Sequence, residues 1–169
     1  MPSDTVDVKM GTFSKAIPSV GGYIAGSRKL CEFLHHQARG FIYSGALPPS
    51  SAAAALAALQ VIQQEPERVA RLHENVTYFA ATLTKLGFSF LDSTTAVFPI
   101  ICGDDWRAFQ FAGSCQRRGV YVQAIPYPVV PKGMARLRAA VYATHSTEDL
   151  DYCARVLQQG AQEVGGILQ

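Results

Sequence analysis

The chain has 169 residues, of which 49% are hydrophobic and 17% charged, with a formal net charge of +2. The apolar share supports a packed core and excludes a disordered chain; the near-neutral balance, with no basic run interleaved with aromatics, excludes a nucleic-acid binder. No segment is built for a membrane: the apolar run from Ala52 to Ile62 is too short and is interrupted by Gln60, and the polar opening MPSDTVDVKM lacks the apolar core of a signal peptide.

In chain order, Val6–Met10 alternates weakly and predicts the end of a strand that feeds a glycine-rich loop, and Tyr23–Ala25 predicts a second short strand. Ser27 stands where it would cap a helix from Arg28 to about Ala38, stopped by Gly40. Phe41–Tyr43 predicts another short strand, broken by Pro48-Pro49, with Ser50 or Ser51 capping the alanine-rich helix that follows. Its small side chains suit close helix packing of the kind a subunit interface provides. Pro66 reads as the first-turn proline of the next helix. There Val69, Leu72, Val76, Phe79, Leu83 and Leu86 recur at three-four spacing up to a stop at Gly87, a stripe read as core packing.

Ala96–Cys102 predicts a strand in which Pro99 calls for an edge or a bulge. Asp104–Arg118 predicts a helix with Trp106, Phe109 and Ala112 on its buried face, ended by Gly119, and Val120–Ala124 predicts a further strand. Leu137, Ala139 and Val141 alternate with Arg136, Arg138 and Ala140, which puts both arginines on one strand face. Ser146 and Asp149 have the spacing of a capping box for the last helix. The four cysteines are widely spaced and fit no metal pattern; they read as buried thiols of a reducing, cytoplasmic compartment. His35 and His36 adjoin, so on a helix they point about 100° apart and make no metal pair. A boundary near Gln64–Pro66 separates residues 1–64 from 65–169.

The stretch from Gly11 to Gly21, GTFSKAIPSVG, carries the most chemistry. It sets Lys15 among small and hydroxylated residues. A lysine that forms a Schiff base has to be fixed and partly desolvated, because burial lowers the amine's pKa and frees its lone pair. Thr12 and Ser14 add hydroxyls able to reach a phosphate, and Gly21-Gly22 allow close approach of backbone to a ligand. TFSK alone also fits an ordinary surface loop.

Read together and in order, this loop with its continuation GGYIAGSRKL, the segment FIYSGALPP at Phe41–Pro49, and PYPVVPKGMARLRAAVYATHSTEDLD at Pro126–Asp151 resemble the α-oxoamine synthases. These are pyridoxal-phosphate (PLP) enzymes of fold type I. The resemblance covers nearly the whole chain. It implies an α/β fold, the C-terminal part of a fold type I PLP-dependent transferase: residues 1–64 would be a remnant of the large PLP-binding domain and 65–169 a small C-terminal α+β domain. It implies an acyltransferase that condenses an amino acid with an acyl-CoA to an aminoketone, releasing CoA, usually with decarboxylation. It further implies a homodimer with the active site at the interface.

By the same resemblance, Lys15 corresponds to the lysine that holds PLP and removes the substrate's α-proton, and Thr12 to a phosphate contact beside Ser14. Ser44 corresponds to a residue that reaches the neighbouring subunit's phosphate. The family often has a second hydroxyl where Gly45 stands, and a plain turn role for Ser44 stays open. Arg138 corresponds to the carboxylate-binding arginine, although spacing alone does not choose between it and Arg136. His145 corresponds to a common family histidine and reads as structural. Two departures stand out. Pro18 replaces a usual glycine, and the family's ring-stacking histidine and nitrogen-pairing aspartate lie well upstream of the lysine, where only residues 1–14 stand here. The chain is therefore expected to be a fragment. The alternatives are a non-catalytic associating piece or a fold type I aminotransferase. Within the family, PYPVVPKG leans toward the ketobutyrate ligase and serine palmitoyltransferase branches.

Overall fold

The hairpin that carries the lysine loop comes first in the computed structural model, which describes residues 5–166. The chain divides at Pro66–Glu67 into two units. In the first, β1 (Val8–Thr12) and β2 (Gly22–Gly26) pair antiparallel, with Met10 opposite Ile24 and Thr12 opposite Gly22. Strand β1 runs two residues further than its alternation predicts, because pairing with Gly22 holds Thr12 in the ladder. The glycines here serve the hairpin itself. Gly21 has φ +100°, and a Cβ on Gly22 would lie 2.5 Å from the Gly11 carbonyl oxygen.

Helix α1 (Arg28–Gln37) starts as expected: the Ser27 side chain accepts from the Leu30 N–H at 3.2 Å. The expected strand at Phe41–Tyr43 is absent. The segment forms a short helix, α2 (Arg39–Ile42), in which the N–H groups of Phe41 and Ile42 donate to the Ala38 carbonyl and that of Tyr43 to Arg39. Three residues of high β propensity with no partner strand satisfy their backbone locally. Helix α3 (Pro49–Gln64) is preceded by Pro48, with Pro49 in its first turn, so neither Ser50 nor Ser51 is the cap. Proline fits there because the first N–H groups of a helix have no intrahelical acceptor. Among the described residues of this unit, only Ile17 and Ala55 are buried hydrophobics.

The second unit is α+β and holds the main core. Helix α4 (Glu67–Lys85) buries Val76, Phe79 and Leu83, whereas Val69 at its start is exposed. Gly87, with φ +79°, follows its end. Strands β3 (Val97–Gly103), β4 (Gln123–Ile125) and β5 (Ala135–Ala140) form an antiparallel sheet in the order β3-β5-β4. Pro99 thus sits on an edge strand, and the register shifts between Ile101 and Gly103. Strand β4 is shorter than the Val120–Ala124 expected and displaced toward Ile125, because only Gln123–Ile125 reach partners at Arg136–Arg138.

Helix α5 (Asp105–Arg117) is capped by Asp104, and α6 (Thr147–Glu163) by a complete Ser146–Asp149 capping box. The buried face of α5 differs from the expected one. Ala108, Phe111, Ser114 and Cys115 face the core, while Trp106 is 69% and Phe109 52% exposed. That face packs closely against α6, where Phe111 seats over Gly160: a Cβ there would meet the ring at 2.8 Å. Phe98 is fully buried at the centre of the core, edge-on to Phe79 (centroids 5.2 Å) and Phe90 (5.5 Å).

Candidate functional site

The lysine loop is closed at its base by the Phe13 N–H, which donates to the Gly21 carbonyl at 2.9 Å. Thr12, the last residue of β1, has its Oγ1 2.9 Å from Ser14 Oγ, accepts the Ser14 N–H at 3.2 Å and donates to the Gly21 carbonyl at 3.3 Å. Two hydroxyls are therefore held together directly before Lys15. Beyond the lysine, Ile17 is buried, and Ser19 Oγ donates to the Ser51 carbonyl in the first turn of α3 at 2.7 Å. The loop is tied on both sides of Lys15, which is itself exposed rather than partly desolvated. A Thr12–Ser14–Lys15 donor set fits a cofactor with a phosphate tail and an aldehyde: hydroxyls can donate to phosphate oxygens, and a primary amine can bond to the carbonyl carbon.

Ser44 lies in the turn after α2, exposed, with its Oγ donating to the Gly40 carbonyl at 2.6 Å. That proton is committed, so the hydroxyl would have to release Gly40 before donating to a phosphate. Sequence reasoning missed a cleft of about 640 Å³ in this unit, lined by Thr12, Tyr23, Leu34, His35 and Phe41 among others. His35 stacks flat on Phe41 there, with centroids 4.9 Å apart. Helix α2 folds Phe41 back onto His35 of α1, a pairing that a strand at Phe41–Tyr43 does not predict.

In the second unit the two arginines of β5 are no longer equivalent. Arg136 is half-buried, and its Nε donates to the Met134 carbonyl at 3.0 Å. Arg138 is exposed and has no hydrogen-bond or ion-pair partner among the described residues. It lines a cleft of about 600 Å³ together with Tyr121, Gln123, Tyr142, His145 and Tyr152. A free guanidinium in a cleft is able to take a carboxylate through two parallel hydrogen bonds. The tyrosines and Gln123 of this cleft come from separate segments of the chain, which no local pattern joins. His145 accepts the Tyr142 N–H on Nδ1 at 3.3 Å and meets the Tyr142 ring edge-on. Cys153, which also lines the cleft, has its thiol pushed up to about 11 by burial, which makes it a poor nucleophile.

The fold is that of the C-terminal part of a fold type I PLP-dependent transferase. A serine palmitoyltransferase holding PLP as an internal aldimine superposes with a TM-score of 0.89 at 26% identity over 96% of this chain and 41% of that one. The enzyme of Sphingomonas wittichii gives 0.88 at 26% identity with the same coverage. Residues 2–157 match the model of the aminotransferase class I and II family, and the chain belongs to that family of PLP-dependent enzymes.

Among curated sequences, it is 44% identical over 160 residues to the 8-amino-7-oxononanoate synthase of Symbiobacterium thermophilum. It is 42% identical over 159 residues to 8-amino-7-oxononanoate synthase 1 of Bacillus subtilis. These alignments cover 95% and 94% of this chain but 41% of each relative, so the chain spans about 41% of the length of the curated relatives it matches. Both are α-oxoamine synthases, but of a branch other than those to which PYPVVPKG leans. Among the described residues no helix is long and apolar enough to cross a membrane, and no His, Cys, Asp and Glu group is arranged to hold a metal ion.

Proposed function

We propose that the intact protein is a PLP-dependent C-acyltransferase that condenses an amino acid with an acyl-CoA to an aminoketone, releasing CoA and the amino acid's carboxylate as CO2. This chain supplies its lysine, two hydroxyls of its phosphate cup and its carboxylate-binding arginine. The reading is carried by the hydroxyl pair of Thr12 and Ser14, 2.9 Å apart and immediately before Lys15, in a chain 44% identical to an 8-amino-7-oxononanoate synthase. When bound, PLP supplies an electron sink for the negative charge that develops at the amino acid's α-carbon.

Lys15 Nζ anchors the cofactor and later holds the proton taken from that carbon. Thr12 and Ser14 donate to the phosphate and fix the tail, after the Thr12 hydroxyl turns from the Gly21 carbonyl and the Ser14 hydroxyl from Thr12. Arg138 takes the substrate carboxylate through two parallel N–H donors, which sets the orientation of the α-carbon for proton removal. Ser44 adds a phosphate contact from the neighbouring subunit of a homodimer, after its hydroxyl turns away from Gly40. A cytoplasmic location goes with soluble thioester and amino-acid substrates.

The test is the reaction itself. The intact protein, with PLP, should release free CoA thiol only when an amino acid and an acyl-CoA are both present. Transfer of the amino group to a keto acid without CoA release would assign it to the aminotransferases instead.

A further inference from the structure

We propose that Asn75 is a positioning residue for the Arg138 cleft. The inference rests on the reading that Arg138 holds the substrate carboxylate. Asn75 lies on α4, far from β5 in sequence, yet its side-chain nitrogen donates to the Tyr142 carbonyl at 3.0 Å and the His145 carbonyl at 2.9 Å. Both partners are carbonyl oxygens, which only accept. That fixes the amide's orientation and commits both of its hydrogens.

The two carbonyls bracket one turn. The same turn is closed from within by the His145 N–H to the Tyr142 carbonyl (3.2 Å) and by the Tyr142 N–H to His145 Nδ1 (3.3 Å). It follows directly on β5, and between it and the strand the Val141 N–H bonds to the Ala96 carbonyl at 2.8 Å. Arg138 therefore stands on a stretch of extended backbone whose far end is clamped by Asn75. Tyr142 and His145, whose backbone Asn75 holds, share a cleft wall with Arg138. Asparagine suits the task and aspartate does not, because a carboxylate would face two carbonyl oxygens with no proton to offer.

Tyr78, one turn further along α4, provides an internal control. Its hydroxyl donates to Asp151 Oδ1 at 2.7 Å, a tie from α4 to α6 that leaves the turn alone.

Two measurements test the proposal. In the 169-residue chain, Asn75→Ala should raise hydrogen exchange at the Val141 and His145 amides about tenfold, a loss typical of one coupled network, while Tyr78→Phe leaves them unchanged. In the intact enzyme, with glycine, L-alanine and L-serine assayed in parallel, Asn75→Ala should raise the amino-acid KM about tenfold. The kcat and the acyl-CoA KM should stay within about twofold, and the variant should add nothing once Arg138→Ala is present. An unchanged amino-acid KM, or the same penalty in the Arg138→Ala background, overturns the positioning role. If Arg138→Ala alone leaves the amino-acid KM unchanged, the carboxylate reading has failed instead, and the exchange experiment still decides whether Asn75 sets the turn. Should Asn75→Ala fail to fold, Asn75→Gln, which keeps both donors one methylene further out, is read in both assays with the same expected direction and the same refuting results.

Discussion

Replacing Arg138 by alanine separates the two arginines that share a face of β5. Arg138 is exposed and bonds to nothing among the described residues, so its loss removes no internal contact and should change stability by less than about 0.5 kcal/mol. What goes is a charge-assisted, two-point hydrogen bond to a substrate carboxylate, worth about 1.5–3 kcal/mol. At about 1.36 kcal/mol per decade, that is about one to two decades in kcat/KM for the amino acid. Arg136 has the opposite profile. It is half-buried and donates to the Met134 carbonyl at 3.0 Å, so Arg136→Ala should cost about 1 kcal/mol of stability and little catalysis. Thermal melts and steady-state kinetics on both variants, with amino acid and acyl-CoA varied separately, decide the matter. Equal kinetic losses for the two, or a large fall in the melting temperature of Arg138→Ala, would refute the assignment of the carboxylate to Arg138.

Phe98→Ala removes a fully buried ring that touches two other aromatics; urea titration of the second unit should show a loss of about 3–5 kcal/mol. Burial pushes the Cys115 thiol up to about 12 and those of Cys102 and Cys153 up to about 11. A thiol reagent at pH 8 should therefore label Cys31 well before these three. An unfolded thiol titrates near pH 8.5, so between there and about pH 11 the native state binds more protons and stability falls as pH rises; global melts across that range check the sign. Glu163 is held below the usual carboxylate range, first by the Ser114 hydroxyl and then by Arg118. Its contribution is present above the unfolded value and is lost as pH falls through the native one. Glu163→Gln should flatten that part of the acid melting profile.

The elements that rest on local rules were legible. Ser27 and the Ser146–Asp149 box cap helices at the expected residues, because a cap is made by neighbours in sequence. The α4 stripe and the edge position of Pro99 follow from periodicity and from proline's missing donor. Readings that depended on partners failed. Phe41–Tyr43 has strand residues but no strand to pair with, and it coils into α2. On α5, bulk pointed to Trp106 and Phe109, yet the helix buries Ala108, Phe111, Ser114 and Cys115, with Phe111 seated over Gly160 of α6. The hydroxyls before Lys15 could be read from their spacing. The difference between Arg136 and Arg138 could not, since it arises from the Met134 carbonyl that only one of them reaches. Nor could the clamp by Asn75, which joins groups 67 and 70 residues apart in sequence.

The central claim is that Lys15 is the residue that binds the cofactor. The most direct measurement is borohydride reduction of the PLP-treated intact protein followed by peptide mass mapping. The account predicts a phosphopyridoxyl group on the peptide that carries Lys15, and none there in Lys15→Ala. Equal labelling of Lys9, Lys29 and Lys85, or undiminished cofactor fixation in Lys15→Ala, would contradict it.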